Sequence, residues 1–218
     1  MKILKRIRQS LLFYKLRKFL DFLDSEKAID VAIRYCATNE LKGAYLEFGV
    51  HKGDSVKFAY MVMQLINYKL PMFGFDSFQG FPKHNNKFWK RMRVLNNPND
   101  YYEEARKNLK STQIKLIKGY YSETLKNNIN YGFDKASIIF IDCDLYISGK
   151  EVFNYITPFL QDGTFIIIDD WNQEKARDDK GLRKAFYEWT KSKKIMYATL
   201  DIVGSKKTIV IRELKKRK

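Results

Sequence analysis

The stretch that decides the fold is ASIIFIDCDLY at residues 136–146, where an unbroken apolar run stops abruptly in acidic residues. A second run with the same ending, TFIIIDDWN, occupies residues 164–172. Continuous apolar runs are typical of strands that are buried on both faces of a parallel sheet. Ligands of open α/β sheets bind beyond the carboxyl ends of the strands, so the acids that follow both runs mark a candidate site.

Three further apolar runs precede these two, and helical patterns separate them all. The runs are AYLEFGV, MFGFD and IKLIKG at 44–50, 72–76 and 114–119, and the helical patterns cover 54–67, 101–110, 122–129, 148–160 and 178–192. This alternation predicts βαβ units with helices on both faces of a parallel sheet. Residues 195–203 and 208–214 flank the turn GSKK and predict a terminal antiparallel hairpin. We therefore expect an α/β, Rossmann-like sheet of seven mostly parallel strands.

The N-terminal residues differ from the rest in pattern and charge. Residues 1–23 combine an apolar stripe with many lysines and arginines, which predicts a basic amphipathic helix, and a second helix is expected over 25–38. We treat 1–40 as an N-terminal helical cap and 41–218 as the main domain. The first helix could pack on this domain, on a second subunit in a homo-oligomer, or on an anionic membrane surface.

Composition narrows the class of protein. The chain has 218 residues, 45% of them hydrophobic, which argues against disorder. It has no apolar run of about 18 residues, so we expect no membrane span, and we expect no signal peptide. Cys36 and Cys143 each lie in apolar surroundings, which predicts buried, reduced thiols and a cytoplasmic location, with peripheral membrane contact as the alternative. A formal net charge of +16 indicates an anionic partner.

The first strand ends in a glycine-containing turn. Glu47, Gly49 and Gly53 form the pattern E-x-G-x-x-x-G, which differs from the dinucleotide-binding pattern because His51 stands at the middle glycine position. Gly49 permits a sharp exit from the strand, and Gly53 lets backbone approach a ligand. A tight turn without a ligand is the alternative interpretation.

The second strand ends in Asp76. An acidic side chain at this position can accept hydrogen bonds from a ribose diol. The alternative is a loop aspartate that caps a turn.

The fourth and fifth strands end in two pairs of acids, Asp142 and Asp144, and Asp169 and Asp170. Neighbouring strands lie about 4.8 Å apart, so up to four carboxylates converge if the two strands are adjacent. Carboxylates packed this closely need a cation or raised pKa values. Their hard oxygen ligands suit Mg²⁺, Mn²⁺ or Ca²⁺. The alternative is that these acids cap helices and turns.

The order of these motifs resembles class I S-adenosylmethionine-dependent methyltransferases, specifically the macrocin O-methyltransferase family, which methylates sugar hydroxyls in antibiotic biosynthesis. The matching segments run from about residue 44 to 190 and are LEFGVHKGDS (46–55), FDSFQGFP (75–82), IKGYYSETL (117–125), IDCDLYIS (141–148), LQDGTFIIIDDWN (160–172) and GLRKAFYEW (181–189). The two segments that contain the acid pairs are fairly specific together. Cys143 departs from the glycine that the family often has there.

The resemblance implies roles for individual residues. S-adenosylmethionine would be bound by Glu47, Gly49, Gly53, Ser55, Asp76, Ser77, Phe78, Gly119, Tyr120 and Asp142. A divalent metal, usually Mg²⁺ in this family, would be held by Asp142, Asp169 and Asp170. Asp144 could replace Asp142 as a ligand, or it could remove the proton of the substrate. His84, in the long loop 77–100, is a second candidate base, and an exposed loop histidine without a role is the alternative.

The sequence thus predicts a metal-dependent O-methyltransferase that acts on a hydroxyl of a sugar or a sugar-containing small molecule. The basic loop over 83–93 suits a phosphorylated or nucleotide-linked acceptor. Two alternatives remain at this point. One is a nucleic-acid methyltransferase that uses the basic surface, although no RNA-binding module is recognisable and we expect no nucleic-acid partner. The other is a non-catalytic protein with the same fold.

Overall fold

The computed structural model describes residues 24–87, 101–200, 204 and 206–212. Its strands are β1 (Ala44–Phe48), β2 (Met72–Asp76), β3 (Ile114–Lys118), β4 (Ala136–Ile141), β5 (Phe165–Ile168), β6 (Tyr197–Thr199) and β7 (Lys207–Ile211). Its helices are α1 (24–38), α2 (Asp54–Leu65), α3 (Tyr101–Asn108), α4 (Tyr121–Thr124), α5 (Tyr146–Ile156) and α6 (Gly181–Lys193). A 3₁₀ turn, Thr157–Phe159, follows α5, and a short helical segment, Gln173–Ala176, precedes α6.

The seven strands form one sheet in the order β3-β2-β1-β4-β5-β7-β6. The first five strands are parallel, and β7 runs antiparallel to both β5 and β6. This arrangement confirms the predicted α/β fold with its terminal hairpin. β1 and β4 are the central pair, and Phe48, Ile141 and Ile168 are aligned across β1, β4 and β5. The loops that follow these three strands therefore begin side by side.

Side chains alternate between the two faces of the sheet, and each face has its own apolar core. On β4, Ile139 and Ile141 belong to a core that also contains residues of α5 and α6. Ile138 and Phe140 belong to the opposite core, which contains residues of α1, α2 and α3. Both cores end at the carboxyl edge of the sheet, which is where ligands of open α/β sheets bind.

The N-terminal cap is described only in part. Helix α1 lies where the second cap helix was predicted, and its residues Ile29 and Ile33 are fully buried in the core that includes Tyr45 of β1. The predicted helix over 1–23 lies outside the described residues, as do positions 88–100 of the long loop and the C-terminal basic residues 215–218. The boundary at residue 40 therefore stays a prediction. No helix within the described residues is long and apolar enough to cross a membrane.

Two elements are shorter than the sequence predicts. Helix α4 ends at Thr124, whereas the pattern predicted a helix to 129, and that prediction is wrong. Asn127 and Asn128 follow, and asparagine competes for backbone hydrogen bonds and disfavours a helix interior. Strand β6 has three residues in place of the predicted run from 195, and residues 201–203 are not described.

Gly49 is the position where β1 and β4 approach most closely beyond their ends. Its φ is +100°, and a Cβ there would collide with the backbone carbonyl of Asp142. The Gly49 N–H donates to the carbonyl of Phe75, and the Asp142 N–H donates to the carbonyl of Phe48. A glycine is therefore required for both its backbone conformation and its lack of a side chain.

We expect Gly49→Ala to destabilise the protein more than Gly132→Ala does. Gly132 has a similar φ of +91°, but a Cβ there would meet nothing within 4 Å, so it serves as the matched control. The unfavourable φ costs each variant about 1–3 kcal/mol. The collision with Asp142 should cost Gly49→Ala at least about 1 kcal/mol more. Urea unfolding of both variants measures this difference, and equal losses would contradict the close approach.

Candidate active site

Three carboxylates meet at the carboxyl edge of the sheet. One ligand oxygen from each of Asp142, Asp144 and Asp170 can be chosen so that all three lie within 4.8 Å of one another. Asp142 follows β4 directly, while Asp144 and Asp170 have left-handed backbone conformations with φ of +58° and +51°. The adjacency of β4 and β5 brings the acids together, as the sequence predicted for neighbouring strands.

The carboxyl groups of this cluster are buried and repel one another. Burial, followed by the charges of Asp169 and Asp170, raises the pKa of Asp142 well above its usual range. Burial and a hydrogen bond shared with Asp170 raise the pKa of Asp144 in the same way. The pKa of Asp170 is also raised, first by burial. Three converging oxygen ligands with mutual repulsion fit a hard divalent cation such as Mg²⁺.

Asp169 lies next to this group but has a different partner. The Nζ of Lys206 lies 3.0 Å from Oδ1 and 3.0 Å from Oδ2 of Asp169. The converging group therefore contains Asp144, which the sequence left open as a ligand, whereas Asp169 of the predicted set forms an ion pair. The ligand set itself stays a prediction. Sequence reasoning missed Lys206 because it assigned the GSKK segment to a turn. The available signal was the pair Lys206 and Lys207 at the start of the apolar strand β7.

Glu47 is fully buried on β1 and holds two hydroxyl groups. Tyr45 Oη donates to Glu47 Oε2 at 2.6 Å, and Ser55 Oγ donates to Oε1 at 2.6 Å. Burial raises the pKa of Glu47 to about 7, although both hydrogen bonds act to lower it. Glu47 therefore links β1 to the first turn of α2 through its hydrogen bond with Ser55.

Asp76 organises the loops that follow β1 and β2. Its Oδ2 accepts hydrogen bonds from the backbone N–H groups of Val50 and His51 at 2.9 and 2.8 Å. Its Oδ1 accepts from the N–H of Phe78 at 2.7 Å. These bonds correspond to the turn-capping alternative, and they occupy three of the roughly four acceptor positions of a carboxylate. One acceptor position is left for a ligand.

A small cavity lies between the β1–α2 loop and the start of α1. Its volume is about 160 Å³, and its lining comprises Ser25, Gly49, Val50, His51, Lys52, Asp54, Ser55, Phe140 and Asp142. Gly49, Ser55 and Asp142 are among the predicted cofactor-binding residues. Ser25 was missed because no pattern links α1 to the strand ends. Asp142 is important because it borders this cavity and also belongs to the group of three carboxylates.

A larger, open groove of about 860 Å³ lies on the outer side of α2 and α3. It shares Lys52 and Asp54 with the small cavity, and the rest of its lining is Lys57, Glu104, Lys107, Asn108, Lys110 and Ser111. None of the three converging carboxylates lines it. The groove therefore adjoins the small cavity but does not reach the three carboxylates.

The remaining predicted cofactor residues have structural contacts of their own. A Cβ on Gly53 would meet Leu109, and the ring of Phe78 is buried against Tyr102 with centroids 5.0 Å apart. Ser77 Oγ donates to the carbonyl of Gly80. Gly119, with φ of +143°, donates its N–H to the carbonyl of Asp76, and the half-buried Tyr120 follows it. These residues shape the loops beside Asp76.

His84 lies in the described part of the long loop after β2. Both of its ring nitrogens are buried, and its ring packs edge-on against Phe81 at 5.8 Å between centroids. Asn86 Nδ2 donates to Oε1 of Glu174 at 3.0 Å, so this loop contacts the segment that follows Asp170. The loop therefore extends over the carboxyl edge of the sheet towards β5.

The comparisons with known proteins agree with the fold. The sequence profile of the TylF macrocin-O-methyltransferase family matches residues 26–205. No curated protein sequence matches the chain.

Several solved structures with the same fold are methyltransferases of low identity to this chain. The O-methyltransferase NovP is 19% identical with a TM-score of 0.73, and the match covers 87% of this chain and 80% of NovP. The calicheamicin methyltransferase CalS11 is 20% identical with a TM-score of 0.68, and the match covers 94% of this chain and 83% of CalS11. The Podospora anserina methyltransferase PaMTH1, solved with bound S-adenosylhomocysteine, is 15% identical with a TM-score of 0.52 over 84% of this chain and 76% of PaMTH1.

These structures establish the fold, and the family profile covers far more than half of the sequence. The chain belongs to the TylF macrocin-O-methyltransferase family of S-adenosylmethionine-dependent O-methyltransferases.

Proposed function

We propose that this enzyme methylates a hydroxyl of a sugar or a sugar-containing small molecule with the help of a divalent metal, most simply Mg²⁺. The observation that supports this proposal is that Asp142 belongs to two parts of the site. It lines the cavity beside the β1–α2 loop, and it is one of the three converging carboxylates. A methyl donor in the cavity and an acceptor hydroxyl at the carboxylates would therefore be neighbours, as methyl transfer requires.

The cofactor half of the proposal rests on the loops after β1 and β2. Gly49, Ser55 and Asp142 would line the methionine side of the site, with Glu47 orienting Ser55 from behind. Asp76 has one acceptor position left for a ribose hydroxyl. A cavity of about 160 Å³ is smaller than the roughly 300–1,000 Å³ of most ligand pockets. The cofactor would therefore extend beyond this cavity, towards Asp76.

The metal half of the proposal rests on Asp142, Asp144 and Asp170. A divalent ion bound by these carboxylates would polarise an acceptor hydroxyl and lower its pKa. The chain's own residues then have to hold the acceptor and remove its proton. Asp144 is the first candidate to take that proton on a carboxylate oxygen, because it lies beside the other two carboxylates. His84 is the second candidate base.

The acceptor class follows from the family and from basic residues near the site. CalS11 is described as a TDP-rhamnose 3'-O-methyltransferase. Lys83 and Lys87 are exposed in the loop that contacts Glu174, and they could pair with phosphate groups of a nucleotide-linked sugar. A homo-oligomeric state, peripheral membrane contact and a cytoplasmic location stay predictions from the sequence.

The proposal is tested by calorimetric titration followed by an acceptor screen. S-adenosylmethionine and S-adenosylhomocysteine should both bind the purified protein, with little effect of EDTA on either affinity. Methyl transfer to sugar hydroxyls or nucleotide sugars, detected by mass spectrometry, should need Mg²⁺ and stop with EDTA. Undiminished transfer in EDTA would contradict the metal half, and transfer to RNA but to no sugar would contradict the acceptor class.

We expect Asp170→Asn to lower turnover by at least about 10- to 100-fold, because it removes a charged metal ligand. Binding of S-adenosylmethionine should stay close to that of the wild type, since Asp170 does not line the small cavity. Asp134→Asn is the control, because Asp134 is an exposed acid next to the amino end of β4. Equal turnover in the Asp170 and Asp134 variants would contradict the assignment of Asp170.

The raised pKa of Glu47 predicts a pH-dependent effect of Glu47→Gln on stability. Folding raises the pKa from 4.5 to about 7, so the folded protein retains a proton that the unfolded chain releases. The stability that this proton contributes is complete below pH 4.5 and is lost as the pH rises to 7. Glutamine, which imitates the protonated acid, avoids this loss.

The unfolding free energy of Glu47→Gln, relative to the wild type, should therefore rise by about 2–3 kcal/mol between pH 5 and pH 8. Chemical unfolding at both pH values measures this change. Glu123→Gln, at an exposed position, should show no comparable change. A difference between Glu47→Gln and the wild type that is constant with pH would contradict the raised pKa.

A further inference from the structure

Glu174 is a half-buried acid in the segment that follows β5. One of its carboxylate oxygens, Oε1, accepts a hydrogen bond from Asn86 Nδ2 at 3.0 Å. The other oxygen, Oε2, is buried and receives no hydrogen bond within the described residues. A buried acceptor without a donor is costly, so an oxygen left in this state requires a physical explanation.

We propose that Glu174 binds the acceptor, and that its Oε2 accepts a hydrogen bond from a sugar hydroxyl other than the one that is methylated. This inference rests on the proposed function, because it needs an acceptor with several hydroxyl groups. It adds a residue that selects the acceptor to the residues that bind the cofactor and the metal.

The position of Glu174 is the first argument. The preceding residue, Gln173, donates from Nε2 to Oδ1 of Asp170 at 3.2 Å, and its backbone N–H donates to the Asp170 carbonyl at 3.0 Å. Consecutive Cα atoms are about 3.8 Å apart. A small polyol that places one hydroxyl at the three converging carboxylates can therefore reach Glu174 with another hydroxyl.

The backbone around Glu174 is the second argument. Glu174, Lys175 and Ala176 have φ of +51°, +65° and +52°, so three successive residues other than glycine are left-handed. Such conformations are unfavourable for a residue with a Cβ, and they are concentrated at sites that bind ligands. Gly181, at the start of α6, leaves room beside the carboxylate, since a Cβ there would lie 2.9 Å from Oε2.

The chemistry of Oε2 defines the class of group that it binds. An ionised carboxylate only accepts hydrogen bonds, so its partner has to be a donor. A hydroxyl group forms a short, charge-assisted bond to such an oxygen. A phosphate or carboxylate group of the acceptor would be repelled. Glu174 therefore favours a neutral, hydroxyl-rich part of the acceptor and disfavours an acidic sugar.

Steady-state methyl transfer at saturating S-adenosylmethionine and Mg²⁺ tests this role, with TDP-rhamnose, UDP-glucose and UDP-galactose as the probe acceptors. Glu174→Gln keeps the oxygen that faces Asn86 and places an amide donor where Oε2 was. We expect KM for the methylated sugar to rise by about 10-fold or more, as for the loss of one hydrogen bond to a charged group. The value of kcat should stay within about threefold of the wild type, because this bond contributes equally to the ground state and the transition state. Glu103→Gln, at a 65% exposed position on α3, is the matched control and should leave KM unchanged.

Deoxy analogues of the methylated sugar, each lacking one hydroxyl, distinguish a binding role from a general structural effect. For the analogue that lacks the hydroxyl bound by Oε2, the wild type and Glu174→Gln should have the same KM. For the other analogues, the variant should keep its defect. A defect of equal size on every analogue would show that Glu174 acts only through the structure, and would overturn the proposal.

Asn86→Ala gives an independent measurement and decides the question if Glu174→Gln does not fold. It removes the donor that fixes Oε1, so the carboxylate is free to turn and KM for the acceptor should rise severalfold. The calorimetric affinity for S-adenosylhomocysteine should not change. An acceptor KM equal to that of the wild type overturns the role of Glu174.

The wild type distinguishes the two levels of the argument. If it methylates none of the three nucleotide sugars, the proposed nucleotide-linked acceptor fails, and this inference fails with it. If the wild type methylates one of them and the variants have the same KM as the wild type, only the role of Glu174 fails.

Discussion

Backbone hydrogen bonds that continue past the ends of three parallel strands hold the whole site together. The N–H of Gly49 donates to Phe75, that of Asp142 to Phe48, and that of Asp169 to Ile141. Each bond joins the first residue after one strand to the last part of its neighbour. These backbone bonds therefore keep the acids that follow β4 and β5 near the cavity beside β1, although their carboxylates repel one another.

That constraint brings several carboxylates close together in a buried place. Most of them gain a partner that stabilises them. Glu47 is fully buried and gains two hydroxyl donors. Asp76 gains three backbone N–H donors. Asp169 gains Lys206, and Asp144 and Asp170 share a hydrogen bond. After these partners are counted, the unbalanced charge is concentrated at Asp142, Asp144 and Asp170, and that is where a divalent cation fits best.

The sequence predicted those features that depend on short-range pattern. Short, mostly apolar runs identified the five parallel strands, and the acids that follow β4 and β5 identified the edge where the carboxylates meet. The Lys206–Asp169 pair could not be found in this way, because the two residues are 37 positions apart and meet only through the antiparallel pairing of β7 with β5. Likewise, the contribution of Ser25 depends on how α1 packs against β1, which no local pattern specifies.

The role of Asp76 shows a second limit of what can be predicted from the sequence. An acid at the end of β2 is expected to bind a ribose, yet three backbone N–H groups already use most of its acceptor capacity. Residue type and position define what a side chain can do, whereas the local backbone determines how much of that capacity remains for a ligand. Asp142 is the opposite case, since it faces both the cavity and the other carboxylates. Under the proposed function, changes at Asp142 should therefore disturb the binding of both the cofactor and the metal, whereas changes at Asp170 should affect only the metal. The separation of the two functions depends on which strand end carries each acid.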